Sequence, residues 1–518
     1  MNMLRRTKLA GAAVLAMMST SALAQVVTLN SLDGTLSITG ELLNFDSDNY
    51  SIASNIGTLT VAVSAVDCIG DGCPDLMPRY SEFTISGSRE LALNLMPTLL
   101  DGFSASLGLD IIQQNDENGN PQVLFTSETG EDIAKISFVM QGSSRGLNDL
   151  LTGTASLALT TRLARPSEVS AFSSAGLGNV RAPGAETILA LDGMVIVTSN
   201  RNPVHIISNT DIARIFSGEI TNWADLGGPA GPINLYVRPE NSGTGALFAQ
   251  SIMRPARKGF SSRVNVMDSD IAVVDAVVSD PNGIGFSSYA NSGNATPVSL
   301  LGACNIQSPA TAFTIQAEEY PFASRMYLYS VPRNLPPVAK LFIEYLSTAE
   351  AQQLVERTGY VGQEIAEVPV NDQGLRFLSA ALPTDAEVTL EQLQSMMSDL
   401  ATAQRLTITY RFEQGTVRLD SRALADVERL AAILQGDELE GKNIILMGFT
   451  DSVGRTEINE SLSVTRADQV RLALLEAGGG AIDPSRIEVR GYGELSPLGC
   501  NEITEGRRIN RRVEVWTR

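Results

Sequence analysis

The chain has 518 residues, with 38 basic and 58 acidic side chains and a formal net charge of −20 at pH 7. At ~150 residues per domain such a length predicts about three domains rather than one core. The acidic balance makes nucleic acid and anionic membrane poor partners, because a polyanion would be repelled. Most of the acid lies upstream of residue 401, so an anionic ligand has to be held by local donors and not by a general field.

The chain opens with Arg5, Arg6 and Lys8, an apolar run over 9–18, and Ala22-Leu23-Ala24. Residues 1–24 therefore read as a secretory signal peptide, with Gln25 starting the mature chain. The apolar run is short of the ~20 residues that a spanning helix needs, and no cysteine follows the cleavage site to carry a lipid. No later stretch reaches spanning length, so the mature protein is expected in an extracytoplasmic space.

Residues 25–78 predict a small β-rich module, with strands at 26–29, 36–38 and 59–63 separated by turn residues. It ends at Cys68-Ile69-Gly70-Asp71-Gly72-Cys73, a Gly-rich turn in which Cys68 and Cys73 are disulfide candidates for an oxidising compartment. Two free thiols are the alternative. Cys304 and Cys500 are the other two cysteines, and spacing does not settle their pairing. With His205 the single histidine, no zinc or other metal site is expected.

Residues 79–370 alternate strand and helix, with strands predicted at 83–86, 136–140, 194–198 and 233–237 and a helix over 91–100. That order predicts an α/β domain with mostly parallel sheets. Residues 371–404 are polar and mixed, with one possible helix at 390–401, and read as a linker. From 405 to 518 the strands 407–410, 443–447, 487–490 and 512–516 interleave with helices 421–434 and 456–477, giving the order of an α+β sandwich.

Three ordered motifs mark this last segment. They are Thr450-Asp451; Asn459-Glu460-Ser461-Leu462-Ser463-Val464-Thr465-Arg466-Ala467; and Gly506-Arg507-Arg508-Ile509-Asn510-Arg511-Arg512-Val513-Glu514. Arg466 shares a helical ridge with Leu462, Val470 and Leu474, and a guanidinium on such a ridge needs an anionic partner. The segment resembles the OmpA-like peptidoglycan-binding domain. The resemblance implies that Asp451 meets the ammonium and Arg466 the carboxylate of the diaminopimelate in the stem peptide, with Asn459 and Arg511 framing the pocket. A structural Asp451–Arg466 salt bridge is the competing reading.

The central segment carries Phe216-Ser217-Gly218-Glu219-Ile220-Thr221-Asn222-Trp223 and Arg238-Pro239-Glu240-Asn241-Ser242-Gly243-Thr244. It resembles the periplasmic phosphate-binding proteins of ABC transporters, a type 2 periplasmic binding fold with two α/β lobes. The resemblance implies phosphate or a related anion as ligand and an ABC transporter as partner. Small donors before helices make anion cradles, and the candidates are Ser86, Gly87 and Ser88; Gly142, Ser143 and Ser144; Thr161; and Ser242, Gly243 and Thr244. Arg238 would add a charge-assisted fork. Where many such binders place an aspartate that accepts the ligand's proton, this chain has Thr160, Thr161 and Arg162. Arg89 also follows the first Ser-Gly-Ser, and an added cation without that acceptor favours a more fully charged or a different anion.

The expectation is a multidomain chain, α/β and α+β, that acts as a periplasmic solute-binding protein. It would be tethered non-covalently to peptidoglycan at the outer membrane side of the envelope. The competing function is a wall-anchored scaffold whose central site is degenerate. No enzyme and no cofactor is expected. No Gly-x-Ser-x-Gly elbow surrounds a serine, and the adjacent carboxylates Glu318 and Glu319 would not face one another in a helix or strand.

Overall fold

A computed structural model describes residues 26–31, 36–46, 49–70, 72–74, 80–117, 119–332, 335–369, 389–412 and 416–518. The expected signal peptide and residues 371–388 of the expected linker lie outside the described residues. The chain divides into two compact units, Met1–Arg79 and Tyr80–Arg518. The central and C-terminal segments share the second.

The first unit is a five-stranded antiparallel sheet. Its order is Gly57–Ala62, Asn49–Ser54, Ser37–Phe45, Val26–Ser31 and Val66–Ile69. Alternation puts Val27, Leu29, Tyr50 and Ile52 on the covered face. Cys68 and Cys73 are joined by a disulfide. Gly70, at φ +127°, turns the chain between them where its backbone runs close to the Val26 carbonyl.

In the second unit, residues 81–330 build one eleven-stranded sheet over two lobes. It is mixed, where a mostly parallel sheet had been expected. Parallel pairs such as Ser81–Gly87 with Asp132–Val139 flank two long strands, Glu186–Thr198 and Ala323–Ser330, which run antiparallel and carry the chain from lobe to lobe. Covered on both sides, Glu186–Thr198 reads as an almost continuous apolar run; Asp192 interrupts it. The predicted helix over 91–100 is two, Arg89–Asn94 and Met96–Ser106. Pro97 has no N–H to continue a ladder and sits instead in a new first turn.

The C-terminal sheet has the order Glu367–Pro369, Gln404–Arg411, Arg512–Thr517, Ile444–Phe449 and Ile487–Gly491. Helices Ser421–Gln435 and Thr456–Ala477 cover one face, burying Val427, Leu430, Val470 and Leu474. Each such fully buried aliphatic side chain contributes roughly 1.5–3 kcal/mol. On the other face lies Leu390–Leu400, whose Met396 and Leu400 pack on Ile445, Met447 and Trp516. This helix had been assigned to a linker. Its apolar positions lie one helical turn apart and give it a face to bury, so it belongs to the C-terminal core.

A disulfide, Cys304–Cys500, ties the C-terminal segment to the second lobe. Around it runs a buried ion network. Glu318 meets Arg325 and Arg422, and Arg405 meets Glu319 at 2.6 Å. Arg411 donates to the carbonyls of Ala317 (2.9 Å) and Glu318 (3.0 Å).

Candidate functional site

Between the two lobes lies a cleft of about 640 Å³. One wall carries Ser143, Thr161 and Arg162, the other Gly243, Thr244 and Ser288, and Glu90 and Asp192 also line it. Ser143 begins helix Ser143–Thr152, and its hydroxyl accepts from the Thr161 backbone N–H at 3.1 Å. Gly142, at φ +90°, makes the turn into that helix and donates its N–H to the Gly87 carbonyl at 2.8 Å. Thr244 donates to Asp270 at 2.7 Å, and the same carboxylate receives Arg238 Nε at 2.9 Å and the Ser288 N–H at 2.9 Å.

Several sequence-derived candidates have other duties. Ser86 donates to Asp149 at 2.7 Å beneath helix Ser143–Thr152. Gly87 lets its strand approach Leu159, whose carbonyl would lie 2.0 Å from a Cβ there. Ser88 and Ser242 cap the helices that follow them, and Ser144 accepts from Arg162 at 2.8 Å. Arg238 does not line the cleft but holds Asp270. Arg162 does line it, but its fork is closed on Glu168 at 2.7 and 2.8 Å. The extra cation expected to select a fully charged anion is therefore neutralised within the fold.

The second site lies at the end of strand Ile444–Phe449. Gly448 lets helix Thr456–Ala477 press onto the strand, since a Cβ there would meet the Ser463 carbonyl at 1.9 Å. The helix then buries Arg466, which is 2% exposed, with Nε and Nη1 lacking any hydrogen-bond partner. Its guanidinium stands 5.4 Å from the Phe412 ring. Burial, with the nearby Arg511 charge, pulls its pKa down against the opposing pull of Asp451. Asp451 pairs with Arg511 Nη1 at 2.7 Å, so the salt bridge weighed against ligand binding forms with a different arginine. Asn459 donates to Glu494 at 2.7 Å and to the Asp451 and Val453 carbonyls at 3.3 Å, fixing the loop that carries Asp451.

Residues 122–350 match the family described as PBP superfamily domain, and residues 411–511 match the OmpA family. The chain joins a PBP domain to an OmpA domain. Over 235 residues it is 25% identical to the phosphate-binding protein PstS of Borreliella burgdorferi, covering 44% of this chain and 80% of that one. Over 106 residues it is 39% identical to outer membrane protein A of Bordetella avium, covering 20% of this chain and 51% of the relative. The chain thus spans about half the length of that relative. An ABC-type phosphate transport receptor from Vibrio cholerae aligns in structure with a TM-score of 0.40 at 22% identity, over 54% of this chain and 99% of that one.

Sequence reasoning missed three acids of the PBP domain. Burial and the nearby Asp270 charge push Glu90 up to about 7. Burial, then Glu90, pushes Asp192 up to about 8, although Asp192 accepts N–H bonds from Gly193 (2.8 Å) and Ala290 (3.1 Å). An acid inside the apolar run 189–197 was the available signal for Asp192. Asp270 follows the cap Ser269 in the first turn of helix Asp270–Ser279, where an acid is ordinary, so nothing in the sequence set it apart.

The raised carboxyls have a consequence for stability. The folded state binds protons that the unfolded chain has released, so each carboxyl's contribution is complete below its unfolded pKa near 4. It declines as pH rises through that value and levels off above about 8 for Asp192. The melting temperature is expected to fall between pH 5 and 8, and Asp192→Asn to flatten that fall. Equal slopes in thermal-shift measurements on the two proteins would contradict the assignment.

Proposed function

We propose that the chain is a receptor for a small oxyanion, phosphate in the first instance, held in the cell envelope by its OmpA domain's grip on peptidoglycan. One observation carries the reading. Ser143 and Thr161 from one lobe and Thr244 from the other face a common cleft whose own acids, Glu90 and Asp192, are biased toward the neutral form. Such a cleft offers donors to an anion without repelling it, and a protonated carboxyl can itself donate. The likeness to PstS supports phosphate as ligand, and the OmpA family supports peptidoglycan as anchor. In the OmpA domain, Arg466 would take the carboxylate and Asp451 the ammonium of the stem-peptide amino acid, framed by Asn459 and Arg511.

Calorimetry on the full chain with phosphate, sulfate and small carboxylates tests the receptor. Saturable one-to-one binding of phosphate is expected, weakened about tenfold by Ser143→Ala, because the Ser143 hydroxyl accepts from the Thr161 N–H and keeps its own proton for a charged ligand. Silence with every anion would favour the wall-anchored scaffold instead. Delivery to an ABC transporter from this envelope location follows from the same reading.

A further inference from the structure

The wall of the cleft is not made by the PBP domain alone. Arg508, from helix Thr504–Asn510 of the OmpA domain, lines it beside Glu318 and Arg325. Three constraints hold that helix in place. Cys500, a few residues upstream, is bonded to Cys304 of the second lobe. Gly506 admits the Cys500 backbone, whose carbonyl would lie 2.1 Å from a Cβ there. Arg411 donates to the carbonyls of Ala317 and Glu318 on the PBP side and to those of Arg508 and Ile509 on the other.

The Arg508 side chain is hydrogen-bonded on one edge only and ion-paired more loosely with Glu318 on the other. Glu505 accepts from Nε at 2.8 Å and lies 2.6 Å from Nη2. Nη1 is 3.8 Å from Glu318, beyond hydrogen-bond range, and that carboxylate is already engaged by Arg325 and Arg422. Arg508 thus lines the cleft with an Nη1 whose donors are not taken up by Glu505 or hydrogen-bonded to Glu318.

We propose that Arg508 is an oxyanion-binding residue of the central cleft, supplied by the OmpA domain, so that the receptor site is complete only when both domains are present. The proposal rests on the receptor reading above. It also accounts for the disulfide and the buried ion network: they hold a ligand-binding side chain in register across a domain boundary.

Calorimetry with inorganic phosphate on full-length protein tests it, with Arg507→Gln as the charge-matched control. Arg507 donates to the Asn501 carbonyl and to Thr504, and does not line the cleft. Arg508→Gln is expected to weaken phosphate about tenfold, the loss of one charge-assisted hydrogen bond. Arg508→Lys, which keeps the charge without the fork, should fall between, and Arg507→Gln should bind as the parent does. Arg508→Gln binding phosphate as tightly as the parent would overturn this assignment and leave the receptor intact. Equal weakening by both glutamine variants would also overturn it, as an effect of net charge. A parent protein that binds no phosphate would overturn the receptor reading and this inference together.

Discussion

Arg466→Met is expected to abolish retention on purified sacculi while leaving the melting temperature equal to the parent's or higher. The guanidinium is almost fully enclosed and two of its nitrogens have no acceptor. Burying a charge without full compensation is costly, and replacing it with an apolar side chain of similar volume commonly gains ~1–4 kcal/mol. The contact with Phe412, desolvated along with the guanidinium, offsets about 2 kcal/mol of that gain. A residue that weakens the fold while unliganded and still occupies a tightly packed ridge is what an anion-binding role predicts. A structural role predicts the opposite, a lower melting temperature. Pelleting with sacculi and a thermal melt on the same preparation separate the two; unchanged pelleting would remove Arg466 from the site.

Asp270→Ala should be the most damaging single change in the PBP domain. One buried carboxylate holds Arg238, Thr244 and the Ser288 N–H together. Removing it strands a guanidinium and two further donors, a loss of ~3–5 kcal/mol. It also frees Thr244 from the cleft wall, so phosphate affinity should fall more than tenfold. Urea unfolding measures the first effect and calorimetry the second. A loss of stability below 1 kcal/mol, on the scale of one exposed pair, would show that Asp270 does not organise this wall.

Local pattern carried the strands and helices of the C-terminal segment, because Val470 and Leu474 recur at helical spacing and strands such as Ile444–Phe449 are apolar throughout. The ordered motifs placed Asp451, Asn459, Arg466 and Arg511 near one another for the same reason: they sit at fixed offsets from those elements. What the pattern could not reach is contact between residues remote in the chain. Glu318 and Glu319 were set aside as neighbours that cannot face one another. That is true of them as a pair, but Glu318 has φ +54°, and the two carboxylates reach different arginines, Arg325 and Arg422 for one and Arg405 for the other. Arg411 and Arg508 are ordinary in sequence and gain their significance only where the two domains meet. In the PBP domain, Ser-Gly-Ser and Gly-Ser-Ser spacing marked candidate anion cradles. It did not distinguish serines that cap or brace, such as Ser86 and Ser88, from Ser143, which faces the cleft.

The claim that one molecule binds an anion and grips the wall can be tested in a single measurement. Purified sacculi are incubated with the full-length protein and radiolabelled phosphate, and the pellet is counted after a wash. The label is expected to pellet in proportion to the protein, and to be lost together with it in Arg466→Met. Protein that pellets fully but carries no label above that of sacculi alone would contradict the account.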